Sequence, residues 1–230
     1  MKICGLNKTT LLDYPGKVAA TIFLGGCNFR CPFCHNGDLV LHSKELPYLE
    51  EEEVLSFKKK KKNVLEGVCI TGGEPTLYGE LTELIEKIKR LGYLVKLDTN
   101  GTNPSMVKSL ITKGLIDYVA MDIKAPISKY EKVCGVSCDM QKIQETVEVL
   151  KKEMVNYEFR TTVVKELHTK EDILEIGKWI SGAKSYYLQS YQETEKNICQ
   201  GFHAMEKEEL FALKKELKHN IQNVQTRGVE

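Results

Sequence analysis

Along the chain, short unbroken apolar runs alternate with longer stretches of helical spacing. Residues 18–24 form an apolar run that predicts a buried strand and stops at Gly25-Gly26. Residues 68–71 predict a second strand, closed by Gly72-Gly73, and residues 93–97 a third. Residues 118–123, 157–164 and 186–190 read as strands four to six. Between them, Leu81, Leu84, Ile85, Ile88 and Leu91 recur at one-face helical spacing, and Gly92 stops that helix. Asn103-Pro104 reads as an N-cap with proline at the first helical position, and Gly114 closes the segment. Met140, Ile143, Val147, Leu150 and Met154 predict another helix. Thr169-x-x-Asp172 resembles a capping box ahead of Ile173, Ile176 and Ile180, and Leu210, Leu213 and Leu217 mark a last amphipathic helix. Residues 50–62 predict a charged, exposed helix whose five lysines at 58–62 form a solvated face.

Strands that alternate with helices imply parallel pairing through right-handed crossovers. The expected fold is therefore α/β, either an incomplete (β/α)6 barrel or an open doubly wound sheet. No repeat or Pro/Ser-rich linker divides the 230 residues, so a single domain over 1–230 is expected, with a core at about 17–192 and a C-terminal helix at about 204–221. A formal net charge of +1 provides no basic field for nucleic acid. The start of the chain lacks the pattern of an export signal, and the apolar run at 18–24 is far short of the ~20 residues a membrane helix needs. A cytoplasmic location without membrane or nucleic-acid partners follows as the expectation, and with it eight cysteines held as thiols or metal ligands.

The strongest chemical signal is Gly25-Gly-Cys27-Asn-Phe-Arg-Cys31-Pro-Phe-Cys34-His-Asn36, three thiols on a loop directly after a strand. Thiolates select zinc, copper(I) or iron–sulfur clusters. A zinc site pairs its first Cys-x-x-Cys with further ligands downstream, but here no second pair follows and His35 abuts Cys34. A thioredoxin-like redox pair would not need the third thiol. Four-iron clusters take four cysteines, so three closely spaced ones would leave one iron open for another ligand.

Cys-x3-Cys-x2-Cys with an aromatic residue, Phe33, before the last cysteine resembles the radical S-adenosylmethionine (SAM) superfamily. That resemblance implies a partial TIM barrel carrying a [4Fe–4S] cluster on Cys27, Cys31 and Cys34. In the family, SAM chelates the open iron and is cleaved reductively to methionine and a 5′-deoxyadenosyl radical. Thr71-Gly72-Gly73-Glu74-Pro75 resembles the family's Gly-Gly-Glu-Pro motif, in which the glutamate binds the SAM amino group. Asp98-Thr99-Asn-Gly101 and Met121-Asp122-Ile-Lys124 end the third and fourth strands, where parallel α/β folds place their ligands. Both stretches resemble those of glycyl-radical-enzyme activating enzymes, which implies a monovalent cation at Asp98, Thr99 and Asp122, assisted by Lys124. Arg160 shares a strand face with Glu158 and Thr162, and needs an anionic partner if that face lines a barrel: either the SAM carboxylate or a structural ion pair. Gln192 falls where related activators place a side chain near adenosine. Cys69 reads as core, and Cys134-x3-Cys138 supplies too few ligands for a second metal site.

Lys8-Thr-Thr-Leu-Leu-Asp-Tyr-Pro-Gly16, running into the first strand, resembles the activating proteins of anaerobic ribonucleoside-triphosphate reductase, and the likeness extends over about residues 4–192. It implies a protein partner that receives a glycyl radical, and flavodoxin or ferredoxin as electron donor. Only Cys69 lies between Cys34 and Gly72, so a single cluster is expected. A different glycyl radical enzyme, a small-molecule substrate, or a nonenzymatic iron–sulfur or zinc module are the alternatives. Anaerobically reconstituted protein is expected to hold about four irons. Iron analysis should find the cluster lost in Cys27→Ala, Cys31→Ala and Cys34→Ala, and retained in Cys134→Ala and Cys138→Ala.

Overall fold

The computed structural model describes residues 1–60 and 64–229, with 57–60 as backbone alone; the side chains of the lysine run at 58–62 lie outside that description. All six expected strands form, and they lie in chain order within one eight-stranded sheet. The order is β1 (Ile3–Thr10), β2 (Ala19–Leu24), β3 (Gly67–Gly72), β4 (Leu94–Thr99), β5 (Tyr118–Asp122), β6 (Asn156–Val163), β7 (Ser185–Ser190) and β8 (Asn223–Arg227). β1 pairs antiparallel with β2, and every later pair is parallel. No ladder among the described residues joins β8 to β1, so the barrel stays open along one side.

The helices are α1 (Gly37–Leu41), α2 (Glu51–Lys60), α3 (Leu81–Arg90), α4 (Pro104–Thr112), α5 (Tyr130–Cys134), α6 (Met140–Lys151), α7 (Lys170–Trp179) and α8 (Lys207–Leu217). Their ends follow the expected chemistry. The Asn103 side chain accepts from the Met106 N–H, and Thr169 and Asp172 form a complete capping box. Leu81, Leu84, Ile85 and Ile88 of α3 are all buried against the sheet. α6 stops earlier than its apolar period suggested: Glu153 takes a left-handed φ of 55° and Met154 is exposed. α2 forms as expected with Glu52 and Glu53 exposed, but Val54 is buried.

Strand alternation separates two environments. Val95 and Leu97 on β4, and Val119 and Met121 on β5, join the apolar core beneath the helices. Lys96, Asp98, Asp122, Glu158 and Arg160 alternate with core residues and line the cavities inside the barrel. The lumen is thus polar.

Close backbone contact brings the first two parallel strand ends together. The Gly73 N–H donates to Leu24 O and the Glu74 N–H to Gly26 O, at 2.8 and 2.9 Å. A Cβ on Gly73 would overlap the Gly26 carbonyl oxygen, whereas one on Gly79 would meet nothing. Gly73→Ala is therefore expected to cost ~2 kcal/mol or more in urea unfolding, and Gly79→Ala less than ~0.5. Equal costs would refute this account of the strand-end contact.

Candidate active site

The cysteine loop leaves β2 and is held by its own Arg30 and by two other parts of the chain. Arg30 N–H donates to Cys134 O at 2.8 Å, and the Arg30 guanidinium bonds the carbonyls of Cys27 and Phe29, both at 2.7 Å. From beyond β7, Asn197 Nδ2 donates to Phe33 O at 2.9 Å, and the Cys199 and Ile198 N–H groups donate to Pro32 O and Cys34 O at 2.8 and 3.3 Å. Within the loop, the Phe29 N–H points at Cys27 Sγ at 3.3 Å. The result is a cavity of about 210 Å3 lined by all three thiols, Phe33, the Gly72-Gly73 backbone, Lys124 and Arg160.

Burial pushes the Cys27 thiol up to about 12 and also raises Cys34. Cys31 moves the other way because the buried Cys134 thiol hydrogen-bonds it. An iron ion would dominate these shifts, since coordination deprotonates a thiol outright. Among the described residues, no three His, Cys, Asp or Glu side chains converge on a single ion. Three thiols spaced around one cavity suit a cluster whose irons each take one sulfur, and do not suit a single zinc.

A ladder of alternating charge crosses the lumen beside the thiols. Lys96 pairs with Asp98, whose other oxygen lies 3.1 Å from Arg160 Nη1. Arg160 Nε bonds Asp122 Oδ1 at 2.8 Å, and Lys124 Nζ bonds Asp122 Oδ2 at 3.0 Å. Burial alone would raise the Asp122 carboxyl, but Arg160 and Lys124 hold it far below the usual carboxylate range. Asp98 is likewise held low by Arg160 and Lys96 against burial.

Glu74 is only 1% exposed and ties three strand ends together. Its Oε1 accepts from Thr76 N (3.0 Å), Thr76 Oγ1 (2.5 Å) and Thr99 Oγ1 (2.9 Å), and its Oε2 from Asn100 N (2.6 Å). Three of the four donors crowd Oε1, and Oε2 takes one of the ~two its lone pairs allow. The sequence suggested an open acceptor for an ammonium group. In the structure Glu74 is also a hub between strand ends, with burial raising its pKa despite the four bonds.

The sequence matches the radical SAM superfamily over residues 21–180. The chain belongs to that superfamily. A protein of Methanocaldococcus jannaschii, provisionally named a glycyl-radical enzyme activating enzyme, is 36% identical over 195 residues, covering 83% of this chain and 80% of its own. The 7-carboxy-7-deazaguanine synthase of Neisseria meningitidis is 33% identical over 136 residues, 59% of this chain and 58% of that one. SuiB of Streptococcus suis, solved with S-adenosylmethionine bound, superposes with a TM-score of 0.69 at 17% identity, over 90% of this chain and 52% of SuiB. The parallel α/β fold of this radical SAM enzyme is thus shared with solved members, and family membership implies a [4Fe–4S] cluster and SAM. No described helix is long and apolar enough to cross a membrane.

Of the residues the sequence singled out, Cys27, Cys31, Cys34, Phe33, Gly72, Gly73, Glu74, Asp98, Thr99, Asp122, Lys124 and Arg160 all line the first cavity. Gln192 does not. It faces an adjoining cavity of about 550 Å3 with Lys96, Glu158 and Arg227, and its carbonyl bonds His35 Nε2 at 2.6 Å. Gln189 on β7 reaches both cavities instead. The residues expected to hold a monovalent cation are already occupied: Thr99 Oγ1 serves Glu74 and accepts from Gly101 N at 3.1 Å, and both aspartates bind Arg160. Sequence reasoning missed Lys96 and Asn100. Lys96 was detectable as the charge two places before Asp98 on the same strand face, whereas Asn100 serves Glu74 through its backbone N–H and the cysteine loop through Nδ2, which donates to Asn28 Oδ1 at 2.8 Å. It also missed that Cys134 abuts Cys31.

The ladder predicts an asymmetry. Asp98→Asn leaves Lys96 and Arg160 short of counter-charge and should cost ~3–5 kcal/mol in urea unfolding, against much less for Lys96→Met, which leaves Asp98 paired with Arg160. The carboxylates' lowered folded-state pKa values also set the sign with pH. Their stabilisation is complete above the unfolded value of ~3.9 and is lost as pH falls through the folded values. Stability that did not fall below about pH 4 would contradict the ladder.

Proposed function

We propose that this chain is the activating enzyme of a glycyl radical enzyme, with anaerobic ribonucleoside-triphosphate reductase as its partner and flavodoxin or ferredoxin as its electron donor. The observation that carries the activating role is the likeness to the Methanocaldococcus jannaschii protein, which extends over most of both chains. The segment from Lys8 to Gly16 supports the choice of reductase.

When bound, the cluster and SAM supply the electron and the adenosyl radical that removes a hydrogen atom. The chain's own residues position them. Cys27, Cys31 and Cys34 hold three irons, and the Gly72-Gly73 backbone, free of Cβ atoms, lets the ligand lie against β3. Lys124 and Arg160 present positive charge for the SAM carboxylate. Glu74 fixes the ends of β3 and β4 so that these groups keep their spacing. Phe33, packed edge-on to His168 at 6.4 Å between ring centroids, walls the cavity beside the cluster loop.

A protein substrate is supported by the open side of the barrel. There Leu11 and Leu12, 72% and 90% exposed, follow β1, and Leu12 borders the second cavity. A glycine loop suits such an entrance, because it lacks a side chain and its radical is delocalised over the flanking amides. The charged lining of the second cavity and the deazaguanine synthase relative favour a small-molecule substrate as the other reading.

Electron paramagnetic resonance separates the two. Reconstituted protein, SAM, a reductant and the organism's anaerobic ribonucleotide reductase should give a glycyl doublet, with ribonucleotide reduction starting as it appears. A doublet on another glycyl radical enzyme only would reject the named partner. Silence with all such enzymes, while SAM is still cleaved, would reject the activating role.

A further inference from the structure

We infer that the Arg160 guanidinium is the resident cation of this site, taking the place that a monovalent metal ion would fill between Asp98 and Asp122. The inference rests on the reading of the first cavity as a SAM site. Two carboxylates facing one lumen repel unless a positive charge lies between them, and one would otherwise take up a proton. Arg160 meets that need from β6, with Nε on Asp122 at 2.8 Å and Nη1 on Asp98 at 3.1 Å.

The remaining acceptor capacity of Asp98 is also filled. Asp98 Oδ1 takes Lys96 and the Cys69 thiol (3.7 Å), and Asp98 Oδ2 takes Thr71 (3.3 Å) as well as Arg160. Asp122 Oδ2 takes Lys124. Thr99, the third expected ligand, is buried with its hydroxyl on Glu74. A further anion of the lumen, Glu158, is held by Arg227 through two bonds of 2.6 and 2.8 Å and by Tyr118 at 2.8 Å. A metal ion entering here would displace a side chain tethered to β6 and would meet three cations, Lys96, Lys124 and Arg160. The site is built against one.

A tethered guanidinium also does what a spherical ion cannot. With Nε and Nη1 on the aspartates, no described acceptor bonds Nη2, and Arg160 lines the cavity, so Nη2 is left to donate to a ligand carboxylate. One side chain thus balances the aspartates and orients SAM.

The test compares alkali salts at matched ionic strength. Cluster-loaded protein titrated with SAM by calorimetry should keep its affinity within ~2-fold between potassium, sodium and choline chloride. A loss of ~10-fold or more in choline would overturn the inference. Sodium NMR gives a readout that needs no SAM. The parent protein should show no site-specific broadening of the sodium line, while Arg160→Ala, which opens the space between the carboxylates, should broaden it, with potassium competing the effect away. Broadening by the parent that Asp122→Asn abolishes would overturn the inference, as would an Arg160→Ala protein that binds SAM in choline as tightly as the parent. Should SAM fail to bind the parent in every salt while its sodium line stays unbroadened, the SAM reading falls and the guanidinium assignment stands.

Discussion

The buried charge ladder Lys96–Asp98–Arg160–Asp122–Lys124 is the constraint around which the site is organised. Removing so many charges from water carries a large desolvation penalty, and each survives only because its neighbours carry the opposite sign. That condition fixes more than side chains. Asp122 and Arg160 are register partners on β5 and β6, so slipping that pair by one residue would turn Arg160 out of the lumen and remove the cation that bridges Asp98 and Asp122. The ladder therefore reinforces the register that the buried Tyr157, Phe159 and Val163 of β6 also require. The same residues define the cavity beside the thiols, which couples the choice of fold to the placement of the reactive centre.

Much of this was legible from the sequence. Of the six central strands, β2, β3 and β5 declared themselves as apolar runs, and β4, β6 and β7 as apolar residues alternating with polar ones. The edge strands did not. β8 carries a single buried apolar residue, Val224, and β1 is half exposed through Asn7, Lys8 and Thr9, so neither has a hydrophobic signature to read. The site divided along a similar line. Residues at strand ends could be collected onto one rim from topology, because parallel strands put their C-terminal ends together. What those residues bond to was hidden, since Glu74 could be seen as a carboxylate near a ligand but not as one that also binds Thr76, Thr99 and Asn100.

The two cavities meet at Asp98, Arg160, Gln189 and His35, which line both. Anything that enters from the open side of the barrel passes Leu12 and Pro15, then a polar wall of Lys96, Glu158 and Arg227, before reaching the thiols. Glu158 and Arg227 are already paired and Arg227 stacks on Tyr187 at 3.6 Å, so this wall is preorganised and offers hydrogen bonds more than free charge. Such a surface discriminates by shape and hydrogen bonding, and Asp13, whose carboxylate accepts from Thr21, adds a negative group to the same lining.

The clasp of residues 196–199 over the cysteine loop has a consequence for the order in which the molecule comes together. Asn197 and Phe33 are 164 residues apart in the chain, a separation among the largest this fold can contain. Contacts of such length close late, because the intervening chain must be ordered first. During synthesis the three thiols emerge early, yet the carbonyls of Pro32, Phe33 and Cys34 gain their partners only after β7 has been made. For most of its elongation the nascent chain thus carries an accessible, unclasped thiol loop, and completion of the C-terminal third is the event that locks it.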